Sequence, residues 1–333
     1  MKILLDCFGA DNDPKELIYG AVLATKECDK ITPVLCGDKE IILSALKSLS
    51  ADPSAFEILD AKQVVTNDDS PTDAFKTKKD SSLIKGFEQL SADPDAHALI
   101  SAGSTGAILT GATFIIKRLK GVLRPTLVPT LPTTKTNRFA IADSGANVDC
   151  KPEYLVQFAI MASAYMTAVY GIDNPRVALV SIGAEDKKGN ELTKAAFELL
   201  KNSPVNFVGN VEARYAMSGD IDVFVCDGFV GNVLLKSIEG TAKAMGTMIK
   251  EAAHHSFCTK IGALFMKKGL TKMKQKVDYQ GKGGAPLLGL NKVVIKCHGT
   301  ANAATIKSAF LQAKAMVDSD LIQTIGKRLD FDA

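Results

Sequence analysis

The chain has 333 residues, 46% of them hydrophobic, which is enough for a large core in one large domain or in two. Its net charge of +3 argues against general nucleic-acid binding, so any basic surface must be local. Seven cysteines without a C-x-x-C pair and only four histidines argue against a disulfide framework or a metal centre, and they favour a reducing cytosol.

The N-terminal part of the chain alternates between strand and helix patterns. Strands are predicted at residues 2–6, 32–36 and 56–59, and helices at 14–26 and 39–49. Asp13 before Pro14, followed by Glu16, is a typical helix start. This β-α-β-α-β order predicts a parallel sheet with helices on both faces.

A small-residue loop follows the apolar run that ends at Ser101, and it leads into a helical pattern. Its residues Ser104, Thr105 and Gly106 would present backbone N–H groups and the positive end of a helix dipole to an anion. The loop is therefore a candidate phosphate site. The alternative is that these residues only form a turn and a helix cap, since the loop matches neither a G-x-G-x-x-G nor a Walker motif.

Three lysines and two serines occur together in residues 76–82. Lysine and serine side chains can contact phosphate oxygens, and we include Lys78 among the candidate phosphate ligands. The local pattern slightly favours the alternative, which is a helix face exposed to solvent.

The middle of the chain predicts a pair of antiparallel strands that departs from the parallel sheet. Residues 126–131 are apolar but contain Pro129, and Pro132 follows them, which is typical of an edge strand. A polar turn then makes residues 139–143 the predicted hairpin partner. Further strands are predicted at residues 176–182, 205–209, 221–226 and 292–297.

Five predicted strands lead into short polar or glycine-rich loops, which begin after residues 100, 142, 182, 226 and 297. In an open parallel sheet such loops meet at the carboxyl edge, where ligands bind. They carry Ser, Thr, Asn, Asp, Lys and one His, but no G-x-S-x-G motif, zinc motif or acidic cluster for Mg²⁺. The sequence therefore predicts one site that binds and polarises a ligand.

The sequence pattern of residues 232–279 differs from the strand–helix alternation of the rest of the chain. It predicts a helical hairpin inserted into a single domain of residues 1–333. The second helix of this hairpin is basic and amphipathic, which suits an anionic membrane surface or an acidic protein partner. Packing against a second copy of the chain is the alternative. The candidate contact residues are Lys267, Lys268, Leu270, Lys272, Met273, Lys274 and Lys276.

Several motifs together resemble the PlsX family of phosphate acyltransferases. The resemblance covers residues 2–312 and rests on the segments Ser101–Ala107, Gly145–Glu153, Lys188–Lys194, Cys226–Val233, Gly283–Gly289 and His298–Gly299. It implies a Rossmann-like three-layer α/β/α sandwich with a mostly parallel sheet, related to isocitrate dehydrogenase and phosphotransacetylase, from which the helical hairpin projects.

The resemblance also implies an activity. A member of this family would form acyl phosphate from fatty acyl-acyl carrier protein and inorganic phosphate, without a cofactor or metal. It would be a cytoplasmic homodimer associated peripherally with the membrane. Its product would feed glycerol-3-phosphate acylation by a membrane-embedded acyltransferase in phospholipid synthesis. Phosphate would itself attack the thioester carbonyl, so the site must position phosphate and stabilise an oxyanion.

We assign hypothetical roles on this basis. Phosphate binding is assigned to the loop of Ser104, Thr105 and Gly106 together with Lys188. Asn147, Asn190 and Asn232 would orient phosphate or the carbonyl, Asp227 would hold one of these donors or Lys188, and His298 would be the acid. Each of these residues has a structural cap or turn as its alternative role.

Three other functions remain open. A phosphotransacylase that uses acyl-coenzyme A would have the same fold, and the acyl donor would distinguish it. A nucleotide-dependent dehydrogenase would need an acidic metal-binding cluster, which the sequence lacks. A non-catalytic scaffold for acyl carrier protein at a membrane would bind without phosphate-dependent turnover.

Overall fold

A computed structural model describes residues 1–135, 137–277 and 283–329, apart from the side chains of residues 272–277. In these residues the strands are β1 (Lys2–Asp6), β2 (Thr32–Gly37), β3 (Glu57–Asp60), β4 (Ala96–Ser101), β5 (Thr126–Leu127), β6 (Thr130–Pro132), β7 (Arg138–Ala142), β8 (Arg176–Val180), β9 (Asn206–Val211), β10 (Val223–Val225), β11 (Ala285–Leu288) and β12 (Val293–Lys296).

Each helix begins after a polar residue, and in several helices the side chain of that residue caps the first turn. They are α1 (Pro14–Glu27), α2 (Lys39–Ser48), α3 (Pro71–Thr77), α4 (Ser82–Ala92), α5 (Thr105–Gly111), α6 (Pro152–Tyr170), α7 (Glu191–Lys201), α8 (Gly228–His254), α9 (Phe257–Val277), α10 (Ala303–Asp318) and α11 (Leu321–Leu329). Asp13, for example, accepts a 2.8 Å hydrogen bond from the Lys15 N–H, which satisfies one free donor of the first turn of α1.

The strands are divided between two sheets. The first has the order β3-β2-β1-β4-β12-β11-β5, in which β3 to β12 are parallel and β11 is antiparallel to both its neighbours. The second has the order β6-β7-β10-β8-β9 and is parallel except for β6. The chain passes from the first sheet to the second between Leu127 and Thr130, and it returns through α8 and α9.

Helices cover both faces of the two sheets. Ile3 and Leu5 on β1 point to one face and join a core that includes residues of α1, α6 and α10 and strands of both sheets. Leu4 points to the other face and packs with α4 and α5. The corresponding face of the second sheet packs with α8 through Leu234. This arrangement confirms the predicted three-layer fold with mostly parallel strands.

The structure corrects the prediction of a single edge strand at residues 126–131. This segment forms two short strands, β5 and β6, that belong to different sheets. Leu127 pairs with Leu287 on β11, whereas Thr130 pairs with Ala140 on β7. Pro129 lies between the two pairings, and because it has no N–H it cannot continue a ladder on both sides. The predicted antiparallel pairing of this region with residues 139–143 is confirmed.

Strand β11 and helix α4 were not predicted as separate elements. The predicted strand bounds otherwise differ by one or two residues, as for β8, which ends at Val180 instead of residue 182. Within the described residues, no helix combines the length and apolar character needed to cross a bilayer.

Candidate active site

A cavity of about 360 Å³ lies where elements of the two sheets meet. Its apolar lining includes Leu127, Leu131 and Leu235. Polar side chains from several other chain segments also line it. Concave sites of this size, with a few polar groups on an apolar background, are typical of small-molecule binding sites.

Four of the five predicted strand-end loops contribute to the cavity lining. Thr105 follows β4, Gly145 follows β7, Asn232 lies in the first turns of the helix that follows β10, and His298 follows β12. The loop after β8, which carries Lys188 and Asn190, is not part of the lining. The structure therefore brings three of the candidate residues, Thr105, Asn232 and His298, to one cavity, while the loop after β7 contributes Gly145 and not its candidate Asn147.

Two glycines allow helix α8 to lie directly on the loop that follows β7. A Cβ atom at Gly231 would lie 1.8 Å from the carbonyl oxygen of Asp143, and one at Gly228 would lie 2.6 Å from the Asn147 carbonyl oxygen. The Gly228 N–H donates a 2.7 Å hydrogen bond to that same oxygen. Only glycine fits at these contacts, so the sequence Asp-Gly-Phe-Val-Gly-Asn sets how closely α8 approaches.

This close approach places the Asn232 side chain beside Gly145. A Cβ atom at Gly145 would lie 3.8 Å from the Cβ of Asn232. Gly145 has φ +133°, a conformation that favours glycine. The side chain of Asn232 is exposed at the cavity, where its amide can meet a ligand.

Asp143 holds the loop after β7 in place through hydrogen bonds to its carboxylate. Its buried carboxylate accepts hydrogen bonds from the backbone N–H groups of Leu127 (2.8 Å), Ser144 (2.8 Å) and Asn147 (2.6 Å), and from the Asn147 side chain (3.1 Å). Burial raises the pKa of this carboxyl, while the hydrogen bonds act in the opposite direction. The carboxylate thus ties β5 to the loop that carries Gly145.

Asp6 occupies a comparable position in the first sheet. Its buried carboxylate, at the end of β1, accepts hydrogen bonds from the hydroxyls of Ser82 (2.6 Å) and Ser101 (2.7 Å). Burial raises the pKa of Asp6. Because Ser101 also accepts a bond from the Gly103 N–H (3.0 Å), this network supports the beginning of the loop that leads to Ser104.

Sequence reasoning missed the charged residues of the cavity: Lys236, Glu239 and Lys296. The Lys236 ammonium and the Glu239 carboxylate form an ion pair of 2.8 Å within α8. Lys296 ends β12, where burial lowers the pKa of its ammonium. A signal was present in the sequence, since a lysine that follows Val-Val-Ile at the end of a buried strand is unusual.

The hydrogen bonds of His298 determine which ring nitrogen carries its proton. The backbone N–H of Thr300 donates to Nδ1 over 3.2 Å, and the Thr300 hydroxyl, 2.9 Å from the same nitrogen, can donate to it as well. A neutral ring therefore has its proton on Nε2, an assignment that follows from the hydrogen-bond network. Burial lowers the pKa of His298, and the positive charge of Lys236 lowers it further. Neutral His298 thus offers an N–H donor at the cavity.

The loop of Ser104, Thr105 and Gly106 begins α5, as predicted. Ser104 occupies the cap position without a capping hydrogen bond from its side chain. A Cβ atom at Gly106 would lie 2.7 Å from Cγ of Pro71, so this glycine allows α3 and α5 to pack closely. Of the three residues, Thr105 reaches the cavity lining.

Three other candidates have side chains engaged in local structure. The Asn147 amide donates to the Pro125 carbonyl (2.8 Å) as well as to Asp143. Asn190 caps α7 by accepting from the Thr193 N–H (2.9 Å), and Asp227 caps α8 by accepting from the Val230 N–H (2.8 Å). Their catalytic or binding roles stay predictions, beside the capping and turn roles that the geometry displays.

The two lysines assigned to phosphate lie outside the cavity lining. The ammonium of Lys78 pairs with Asp69 (2.6 Å), which holds the pKa of that carboxyl at about 2, and donates to the Val64 carbonyl (2.9 Å). Lys188 is exposed, and its backbone N–H donates to the Glu185 carbonyl (3.0 Å). Lys78 therefore has a structural role, whereas the ammonium of Lys188 lies on the surface.

Cys297 lines the cavity, but its chemistry does not favour a covalent role. Burial raises the pKa of its thiol to about 12. Since the thiolate is the nucleophilic form of cysteine, Cys297 is inert near neutral pH. Cys226, at the end of β10, is also buried, and burial raises the pKa of its thiol. Both residues fit the structural role expected of buried cysteines.

Helices α8 and α9 occupy the segment that was predicted to form the helical hairpin. Lys267 and Lys268 are exposed, and Leu270 is partly buried. The predictions for the side chains of Lys272, Met273, Lys274 and Lys276 lie outside the described residues. The structure adds exposed apolar side chains that the sequence analysis did not single out, and these are Phe257, Leu264 and Phe265. The boundaries of the inserted hairpin and of a single surrounding domain stay predictions.

Comparison with known sequences reveals full-length relatives. The family model described as "Fatty acid synthesis protein" matches residues 1–324. A phosphate acyltransferase from Clostridium acetobutylicum is 46% identical over 330 residues, which cover 99% of this chain and 99% of the relative. A phosphate acyltransferase from Clostridium perfringens is 44% identical over 330 residues, with 99% and 97% covered.

Solved structures share the fold at low sequence identity. A phosphotransacetylase from Streptococcus pyogenes aligns with a TM-score of 0.64 at 19% identity, covering 95% of this chain and 94% of the other. A branched-chain phosphotransacylase from Enterococcus faecalis aligns with a TM-score of 0.58 at 14% identity, covering 95% and 99%. At this level of identity the likeness establishes the fold.

Proposed function

The chain belongs to the PlsX family of fatty acid synthesis proteins and is an acyltransferase, and we propose that it transfers a fatty acyl group from acyl carrier protein to inorganic phosphate. The observation that carries this proposal is a cavity lined both by leucine side chains and by polar side chains from several chain segments. The leucines suit an acyl chain, and the polar groups suit phosphate.

The reaction balances without a protein nucleophile. An oxygen of hydrogen phosphate attacks the thioester carbonyl carbon, the C–S bond breaks, and acyl phosphate and a thiol are formed. The proton that phosphate loses is the one that the thiol gains. The raised pKa of Cys297 is consistent with this direct attack, so the task of the site is to position phosphate and stabilise the oxyanion.

Donors around the cavity are assigned to these tasks. The Ser104–Gly106 loop binds phosphate, and Asn232 orients phosphate or the thioester carbonyl. Neutral His298 donates its Nε2–H to the oxyanion or to the departing sulfur, which refines its predicted role as an acid. A single donor of this kind typically contributes 10²- to 10³-fold to the rate.

The loop after β8 is assigned to phosphate binding at the rim of the site. Strand β8 is a neighbour of β10 in the second sheet, so Lys188 and Asn190 belong to the same carboxyl edge as Asp227 and Asn232. In the proposal, Lys188 approaches the phosphate when substrate is bound, while Asp227 and Asn147 hold the donor loops in place.

The proposed partners follow from the surface charge and the family. The exposed lysines of α9, such as Lys267 and Lys268, would bind the acidic carrier protein, an anionic membrane surface or both. We further propose a cytoplasmic homodimer, peripherally associated with the membrane, whose product feeds glycerol-3-phosphate acylation in phospholipid synthesis by a membrane-embedded acyltransferase.

One assay tests the proposed activity. The protein is incubated with palmitoyl-acyl carrier protein and phosphate, and acyl phosphate is trapped with hydroxylamine and quantified. We expect phosphate-dependent product from the carrier-protein thioester and little from palmitoyl-coenzyme A. Equal rates with both donors would favour a coenzyme A phosphotransacylase, and carrier binding without turnover would favour a scaffold.

A further inference from the structure

Lys296 brings a positive charge to the cavity lining. It is the last residue of β12, and its side chain is partly buried. Its ammonium donates to the carbonyl oxygen of Cys297. Among the residues that the structure describes, no carboxylate forms an ion pair with it, whereas neighbouring Lys236 is paired with Glu239 at 2.8 Å.

A buried ammonium without a counter-charge is costly. Such a group either loses its proton or is neutralised by a partner, because its lost hydration must be replaced. Burial is the main cause of the lowered pKa of Lys296, and the positive charge of Lys236 acts in the same direction, whereas the carboxylates of Asp11 and Asp6 act against it from a distance. An anion that enters the cavity would supply a counter-charge in direct contact with the ammonium.

We infer that Lys296 binds the phosphate that this cavity takes up, as the principal cationic ligand of the reacting phosphoryl group. This assignment rests on the proposed function and adds to it a residue that lies inside the cavity, in contrast to exposed Lys188. The ammonium is a compact point charge, and the N–H donors that it does not use on Cys297 can bind phosphate oxygens.

The apolar residues of the cavity agree with this assignment. Leu127, Leu131 and Leu235 offer nothing to an anion and suit the acyl chain. A phosphate at Lys296 therefore leaves these leucines for the acyl group, and His298 lies only two positions further along the chain, where its Nε2–H can serve the same reaction.

Phosphate binding to wild-type enzyme and to three variants tests the inference without an acyl donor. By titration calorimetry with inorganic phosphate, Lys296→Met should weaken binding about 10- to 100-fold. Lys296→Arg should bind with intermediate affinity because it keeps the charge. Lys120→Met, which removes an exposed lysine outside the cavity lining, should bind like wild type. Equal affinity in wild type and Lys296→Met would overturn the inference.

A second measurement uses the wild-type protein and avoids any effect of substitution on folding. Lysines are acetylated with acetic anhydride with and without phosphate, at constant ionic strength, and the modified peptides are quantified. Phosphate should slow acetylation of Lys296 and leave Lys120 unchanged. A Lys296 rate that phosphate does not alter would overturn the inference. Absence of acyl phosphate in the assay above would instead refute the proposed function alone.

Discussion

Gly231 of helix α8 lies against the backbone of Asp143, so closely that a Cβ atom at Gly231 would be 1.8 Å from the Asp143 carbonyl oxygen. Asp143 in turn holds the loop with Gly145 through its carboxylate. The position of Asn232, the residue after Gly231, therefore depends on a contact between two backbones.

Two glycines of α8 give opposite predictions. Gly231→Ala should destabilise the protein by about 1–3 kcal/mol, because the methyl group forces α8 away from β7. Gly240→Ala, where nothing lies within 4 Å of the new Cβ, should stabilise it by about 0.5–1 kcal/mol through helix propensity. Urea unfolding of both variants checks this pair, and similar stabilities would show that the contact at Gly231 is dispensable.

Adjacent lysines test the role of the loop after β8. Lys188→Ala should lower kcat/KM for phosphate about 10²-fold if its charge reaches the phosphoryl group in the substrate complex. Lys187 is also exposed, and Lys187→Ala should leave this value near that of wild type. Steady-state kinetics with varied phosphate measures both. If the two variants behave alike, Lys188 has no specific role.

Three variants test the donor role of His298. His298→Ala should lower kcat by about 10²- to 10³-fold, whereas His298→Gln, whose amide can place an N–H near the Nε2 position, should retain part of the activity. Thr300→Val removes the hydroxyl that lies 2.9 Å from Nδ1 but keeps the backbone N–H that donates to the same atom, so it should lower kcat less than His298→Ala does. Turnover at saturating substrate is the measurement. A fully active His298→Ala enzyme would exclude the donor role.

The lowered pKa of His298 also predicts a dependence of stability on pH. The unfolded state takes up a proton near the ordinary value of 6.5, whereas the folded state resists protonation because the ring is partly buried. The stability associated with neutral His298 is therefore complete above pH 6.5 and is lost as the pH falls through the lowered folded-state pKa. Thermal unfolding of wild type should show this loss, and His298→Gln should show less of it. If the unfolding temperatures of wild type and His298→Gln depended on pH in the same way, the prediction would be contradicted.

Charge reversal on α9 separates carrier binding from chemistry. Replacing Lys267 and Lys268 by glutamate should raise KM for the acyl-carrier thioester and leave KM for phosphate unchanged, since an acidic partner is repelled. The effect should weaken at high salt. Glutamates at the exposed residues Lys30 and Lys120 serve as the control. An equal change in both double variants would indicate a general effect of net charge.

The alternation of strands and helices could be predicted from local sequence because its signals are local. Asp13 caps α1 and Asp227 caps α8 by bonding to N–H groups two or three residues away. The division into two sheets could not be predicted in this way. Residues 126–131 form one apolar run, and the partner of each half is a strand distant in sequence.

The candidate site was predictable where glycine and asparagine follow a strand, as at Gly145 and Asn232. The charged residues of the cavity were not predictable. Whether a lysine such as Lys296 lies in a cavity depends on strands and helices from both ends of the chain. For Lys78 the local sequence suggested a ligand that the structure engages elsewhere. Its neighbouring serines made it a candidate phosphate ligand, but its ammonium forms an ion pair with Asp69.

Strand β12 is hydrogen-bonded between β4 and β11, near the middle of the first sheet, although it is among the last elements in the sequence. During synthesis on the ribosome, β4 therefore emerges early and keeps an unpaired edge until residues 293–296 arrive. Open edges of this kind invite pairing with other nascent chains. The second sheet, made of residues 130–225, can meanwhile form without waiting for the C-terminus. Lys296 reaches its place only when that late strand inserts, so the cavity is completed at the end of folding.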